Sequence, residues 1–170
     1  MNKHGNGGEK VKTVIVYYSQ SNNTRAAAEI LSAKLDCKLV ELKEEKKGNA
    51  MQAYFRKSSK LLGNPWDEIT DAERVYLMFP IWAGKSVPAV NAFLRSPDAN
   101  FEHKAVYLVT FQASPDFKGS DRVHDYVGNL IRNKGGTIKE AYAMQGGNMN
   151  VYIGDDTIRE RMEKVRWDDL

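Results

Sequence analysis

Two short segments hold the residue types most able to do chemistry. The first is Tyr17-Tyr18-Ser19-Gln20-Ser21-Asn22-Asn23-Thr24, which follows an apolar run and precedes an alanine-rich stretch. Ser19, Ser21 and Thr24 bring hydroxyls; Gln20, Asn22 and Asn23 bring amides. Where such a segment joins a strand to a helix, the first turn carries four unpaired backbone N–H groups and about half a positive charge. Those amides and hydroxyls together can hold a phosphate with no lysine. An ordinary strand-to-helix turn with Asn or Ser as N-cap would use the same residues. Neither the G-x-G-x-x-G dinucleotide fingerprint nor a Walker A loop is present.

The second segment is Met78-Phe79-Pro80-Ile81-Trp82-Ala83-Gly84-Lys85-Ser86-Val87-Pro88. Trp82 offers a flat apolar wall for a planar ring, or serves as a core or interface aromatic. Gly84 lowers the steric cost of rotating a peptide. Ala83-Gly84-Lys85-Ser86 imitates the end of a Walker A motif, but Phe79 stands where the first glycine is required. Two more segments fall beside these in the chain order of elements. They are Thr110-Phe111-Gln112-Ala113 with its continuation to Gly119, and Gln145-Gly146-Gly147-Asn148-Met149-Asn150. The glycines of the latter suit either close approach of a ligand or a simple turn. His103 and His124 lack metal-ligand spacing to another His or Cys, and no Ser-His-Asp or paired-carboxylate pattern emerges. Cys37, the single cysteine, has no nearby His and reads as a packing residue.

The elements that must position these segments follow from periodicity. Val11–Tyr18, Lys38–Leu42, Arg74–Phe79, Lys104–Phe111 and Thr137–Met144 are β-branched, apolar or alternating and predict strands. Asn23–Leu35 predicts a helix with Ala27, Ile30, Leu31 and Leu35 on one face. Asn49–Leu62 predicts a second helix, stopped by Gly63-Asn64-Pro65, and Pro80 is expected to break the third strand. Ser86–Leu94 predicts a helix with Ser86 as N-cap and Pro88 in its first turn. Ser120–Asn133 has the stripe Val123, Tyr126, Val127, Leu130 and Ile131. Asp156–Val165 predicts the last helix, with Thr157-x-x-Glu160 as a capping box.

Alternation of this kind predicts an α/β fold, a doubly wound five-stranded parallel sheet with right-handed crossovers and helices on both faces. Ligands in such folds bind outside the carboxyl ends of the strands, at a topological switch point. A phospho-acceptor receiver domain would share that architecture, but it needs an aspartate where Phe79-Pro80 ends the third strand.

Bulk composition agrees. The chain has 170 residues, 42% hydrophobic and 28% charged, enough for one domain with its own core. Residues 1–10, rich in Gly and Asn, predict a flexible tail before a domain over 11–170, and have no apolar stretch of a secretory signal. No apolar run is long enough for a membrane span. One cysteine precludes an internal disulfide and suits the cytoplasm. The net charge of +3 comes from Lys and Arg interleaved with acids, as in Glu41–Lys47, which reads as a solvated face and not as a nucleic-acid patch.

The segment Val14–Arg25, with its alanine-rich continuation, resembles the phosphate loop of the flavodoxin family. Ser19, Ser21 and Thr24 match that family's hydroxyl pattern, and Asn22 stands where glycine is usual. Asparagine tolerates positive φ better than most residues, so the turn remains feasible. Met78–Leu94 is similar to the flavin-ring loop of a subset of flavodoxin-like proteins, in which Pro-hydrophobic-Trp-Ala-Gly precedes a Pro-containing helix. The resemblance covers about Val11 to Val165 and implies strand order 2-1-3-4-5 and a non-covalent FMN cofactor. It implies cofactor-binding roles for Ser19, Gln20, Ser21, Asn22, Asn23 and Thr24. It implies the same for Pro80, Ile81, Trp82, Ala83, Gly84 and Lys85, and for Thr110, Phe111, Gln112 and Ala113. Trp82 would flank the flavin, and a Trp82-Ala83-Gly84 peptide would offer it a carbonyl. Phe111 or Phe117 would contact the ring, although the Gln112–Gly119 loop departs from the family's pattern. The implied function is electron transfer with a redox partner protein; the alternative is an NAD(P)H-dependent quinone or flavin reductase, towards which the basic charge leans. An FMN-free interaction module is a third reading. The protein is expected as a monomer or homodimer that engages neither nucleic acid nor membrane.

Overall fold

A computed structural model describes residues 10–167. The strands are β1 (Thr13–Tyr17), β2 (Lys38–Glu41), β3 (Arg74–Trp82), β4 (Lys85–Ser86), β5 (Ala105–Gln112) and β6 (Thr137–Gln145). The helices are α1 (Asn23–Leu35), α2 (Ala50–Tyr54), α3 (Pro88–Arg95), α4 (Ser120–Arg132) and α5 (Asp155–Glu163). Five strands run parallel in the order β2-β1-β3-β5-β6. Counted without the two-residue β4, that is the expected 2-1-3-4-5. The tail expected over residues 1–10 lies outside the described residues, apart from Lys10, whose Nζ pairs with Asp36 Oδ2 at 2.6 Å.

Alternation along the central strands divides the core into two. Val14, Val16, Val75, Leu77, Phe79, Val106 and Leu108 face α3 and α4, meeting Val90, Phe93, Val123, Val127 and Ile131. Ile15, Tyr17, Tyr76, Met78, Tyr107, Val109 and Phe111 face α1 and α5, meeting Ala27, Leu31, Ile158 and Met162. Because helices cover both faces, the inner strands read as unbroken apolar runs. Cys37 packs beside this second core, and burial pushes its thiol up, away from reactivity.

Four expectations about local structure are corrected. Pro80 does not end β3, which continues to Trp82. The last β1 residue to pair is Tyr17, opposite Met78, while β5 continues to pair with β3 as far as Pro80 and Phe111. Met78 turns its carbonyl toward β1, where it accepts from Tyr18 N at 3.0 Å. Two residues on, Pro80 points its nitrogen the same way, past the end of β1, so no ladder bond is lost there. Ser86 is not a helix cap: it lies in β4, and its buried hydroxyl donates to Asn91 Oδ1 at 2.6 Å. The helix expected over 49–62 shrinks to Ala50–Tyr54. Arg56 enters the left-handed region (φ 51°), and the chain then returns extended, Leu61 bridging Glu44. The Thr157/Glu160 capping box does not form, since α5 begins earlier, after Gly154 (φ 92°), with Asp155 and Asp156 in its first turn.

Candidate functional site

At the carboxyl ends of β1 and β3 the connections part company, one leading to β2 and the other to β5 on the opposite side. The crevice expected at such a switch point is present. It is a cleft of about 210 Å³ whose walls include Ser21, Thr24, Trp82, Phe111, Gly147 and Asn150.

The first wall is built by the turn into α1. Asn22 adopts φ 65°, ψ −6°, the left-handed conformation that its short side chain tolerates, and turns the chain sharply into the helix. No side chain caps this helix, and no acid occupies its first turn. Its leading amides and positive dipole end are therefore available to an anion. Thr24 is buried at the cleft. Ser19 Oγ and Gln20 Oε1 are buried with no hydrogen-bond partner, a cost that a ligand with complementary polar atoms would remove.

The second wall is a β-hairpin. Trp82 pairs with Lys85, leaving a two-residue turn in which Ala83 (φ 48°) and Gly84 (φ 67°) are both left-handed. This is the primed turn that matches the twist of the flanking strands. Trp82 is 5% exposed, so it is largely a core residue whose remaining surface borders the cleft. Its ring meets Tyr18 edge-on at 5.8 Å. Tyr18 Oη donates to Glu44 Oε2 at 2.9 Å, and burial beside that carboxylate pushes the phenol up.

The third wall comes from β5 and from the loop after β6. Phe111 and Gln112 end β5 and, with Ala113, face the cleft. Gly146 N donates to Gln112 O at 2.8 Å, which swings the following residues over the cleft. Asn23 fixes that loop to α1. Its Nδ2 donates to Val151 O at 2.7 Å and Ser21 Oγ at 3.0 Å, while its Oδ1 accepts from Ile153 N at 3.0 Å. Gln20 Nε2 donates to Asn150 Oδ1 at 2.7 Å. A Cβ on Gly147 would come within 2.3 Å of Val151 O, so only glycine fits there.

No family model and no curated protein matches this sequence. Solved structures do match. A candidate flavoprotein from Bacteroides uniformis superposes with a TM-score of 0.64 at 17% identity, covering 92% of this chain and 100% of that one. The Trp repressor binding protein from Bacillus subtilis gives 0.60 at 14%, covering 89% and 94%. Oxidised flavodoxin 2 from Bacillus cereus gives 0.55 at 16%, covering 89% and 92%.

The fold is flavodoxin-like.

On this flavodoxin-like frame the expected site residues divide. Gln20, Ser21, Asn23, Thr24, Pro80, Ile81, Trp82, Ala83, Phe111, Gln112 and Ala113 border the cleft together. Ser19, Asn22, Gly84 and Lys85 belong to the same two turns without lining it. Thr110 does not reach it. As an even residue of β5 it points to the α4 face, its hydroxyl 2.8 Å from His124 Nε2. Burial pulls the pKa of His124 down, against the nearby charges of Asp121 and Asp125. Of the two phenylalanines expected near a ring, only Phe111 borders the cleft; Phe117 lies in another hollow with Met144 and Arg161. Gly146 to Asn150 supply a wall that was not among the expected site residues. Their Gly-Gly pair was the available signal, but composition could not separate it from a simple turn.

Proposed function

We propose that this chain binds FMN non-covalently in the cleft and serves as an electron-transfer flavoprotein. One observation carries the reading: an uncapped helix start, with orphaned polar atoms beside it, opens on the same cleft as the indole-bearing hairpin. Ser21, Thr24 and the first amides of α1 would hold the phosphate by neutral hydrogen bonds and the helix dipole. Trp82 and Phe111 would supply apolar surface to the ring system, and the backbone of Gln112, Ala113 and Gly146 would offer polar groups to its edge. Bound FMN supplies one- and two-electron redox chemistry. These residues would orient it and shield it from water on the side they cover. The cleft is about 210 Å³, below the roughly 300–1,000 Å³ of sites that enclose a whole ligand.

An NAD(P)H-dependent quinone or flavin reductase is the second reading, favoured by the net charge of +3, since an acidic surface would repel an anionic nicotinamide nucleotide. One experiment addresses both. Purified protein is incubated with FMN, freed of excess and scanned. A retained band near ~450 nm is expected, with riboflavin, which lacks the phosphate, bound more weakly. A colourless protein, or equal affinity for the two flavins, would refute the assignment. Bleaching by NADPH alone would select the reductase.

A further inference from the structure

Residues 43–62 leave the sheet after β2 and return to it as a compact excursion. Its two arms lie side by side: Glu45 N donates to Lys60 O at 2.9 Å and Leu62 N to Lys43 O at 2.8 Å. Between them, at the far end, sits α2. That helix is unusual for its exposed apolar side chains: Met51 is 71% exposed, Tyr54 59% and Phe55 62%, with the two rings packed edge-on at 5.2 Å. No burial in the described chain explains large apolar residues at two of the five helical positions, Met51 and Tyr54, and a third, Phe55, at the C-cap. Isolated exposed hydrophobics are ordinary, but a cluster of aromatics and methionine is the composition of an interface centre.

The charge around this cluster is one-sided. Residues 43–60 contain Lys43, Lys46, Lys47, Arg56, Lys57 and Lys60 against Glu44 and Glu45, a net of +4, whereas the whole chain is +3. The excursion therefore holds all of the molecule's excess positive charge. Glu44 is turned inward, bound by Tyr18 Oη and Gly48 N, both at 2.9 Å, and Glu45 is paired with Lys60 at 2.7 Å. Lys46, Lys47 and Lys57 are exposed and have no carboxylate partner among the described residues. The result is an apolar centre with a cationic rim.

The excursion is also anchored next to the cleft. Ser59 N donates to Pro88 O at 3.2 Å and Asn91 Nδ2 to Lys57 O at 3.0 Å, seating it on the start of α3 just after the hairpin. Glu44 reaches Tyr18, and Tyr18 reaches Trp82.

We infer that α2 and its flanking lysines form the docking surface for an acidic redox protein. An apolar centre with a charged rim is the anatomy of a protein interface, and the rim steers an oppositely charged partner. An anionic membrane fits less well, because a five-residue helix is far shorter than an interfacial amphipathic helix. A nucleic-acid duplex fits less well, because its affinity comes from phosphates along a cationic track and makes no use of an aromatic centre; tighter binding of a single-stranded oligonucleotide, which stacks on such aromatics, than of the acidic protein would overturn the inference. That the partner is a redox protein rests on the flavin reading above; the docking itself does not, and its test needs no cofactor.

The probe is a purified acidic [2Fe–2S] ferredoxin, titrated by calorimetry with and without added FMN. Binding is expected at about 20 mM salt, weakened at least about tenfold at about 500 mM, where charges are screened within ~5 Å. Lys46→Glu/Lys47→Glu/Lys57→Glu and Tyr54→Ala/Phe55→Ala should each weaken it about tenfold or more. Lys134→Glu/Lys139→Glu, on exposed residues at the other end of the sheet, should change it less than about twofold. Thermal melts verify that each variant is folded, which the exposure of these side chains favours. The inference is overturned by no binding at low salt or by equal loss in the Lys134/Lys139 control. Comparable binding of basic cytochrome c, or phosphatidylserine vesicles capturing the chain in place of ferredoxin, would also overturn it. Loss of the flavin band with an intact, salt-dependent isotherm would sink the FMN reading and leave the docking surface standing.

Discussion

Asn23→Ala removes the clamp between α1 and the loop that roofs the cleft. Asn23 is 4% exposed, and its amide makes three hydrogen bonds, to Ser21 Oγ, Val151 O and Ile153 N. At about 1 kcal/mol each the loss is about 3 kcal/mol. Val151 is exposed, so water can replace the amide at its carbonyl; the half-buried Ile153 N–H is harder to satisfy. The better helix propensity of alanine returns a few tenths. The net cost is thus about 2–3 kcal/mol, which for a chain of this size lowers Tm by about 5–10 °C. The assay pairs a thermal melt with amide hydrogen exchange, and the fastest gain in exchange should fall at residues 148–153. A melting point within about 1 °C of wild type, with Ile153 exchange unchanged, would show that the clamp does not hold the loop. Asn23→Asp separates stability from ligand chemistry. Its carboxylate still accepts from Ile153 N and suits the helix dipole, but the oxygen that replaces Nδ2 cannot donate to Val151 O, so the melt should fall about as far as in Asn23→Ala. The same charge opposes a phosphate at the first turn, so FMN affinity should fall more than riboflavin affinity.

Three other outcomes are expected. Thr24→Val and Ser21→Ala should each weaken FMN by about 1–3 kcal/mol, read by fluorescence titration, because a charged phosphate loses a hydrogen bond; unchanged affinity in both counts against the phosphate turn. Ala83→Gly should raise stability by about 0.5–1 kcal/mol, because residue 83 stands at φ 48°, where a Cβ is strained; a lower urea midpoint would contradict the primed turn. His124 has its pKa lowered in the fold, so its contribution is fully present above the unfolded value of about 6.5 and is lost as pH falls through the folded value. Relative to His124→Gln, which can keep a hydrogen bond to Thr110, wild type should lose stability as pH falls below about 6.5. Parallel urea midpoints below that pH would rule out a buried neutral imidazole.

Periodicity alone determined most of the architecture. Strands covered by helices on both faces must be apolar throughout, so β1, β3 and β5 stand out from a sequence without any partner in view. The bounds of α1, Asn23–Leu35, were legible because an uncapped polar turn meets an alanine-rich amphipathic run. Ser21, Thr24 and Trp82 could be picked out by type and spacing. Tertiary pairing decided the rest. Pro80 looks like a strand breaker in isolation, and only the ending of β1 at Tyr17 makes its missing N–H harmless. Ser86 looks like a cap until the hairpin pairs it with Ile81. Thr110 and Phe111 are adjacent in sequence, yet strand alternation sends one to His124 and the other to the cleft. The Gly146–Asn150 roof depends on bonds spanning about 130 residues, from Gln20 and Asn23, which no local pattern encodes. Local rules specify which residues prefer a strand, a helix or a turn. Which of them face one another is settled by closing the sheet and packing both its faces.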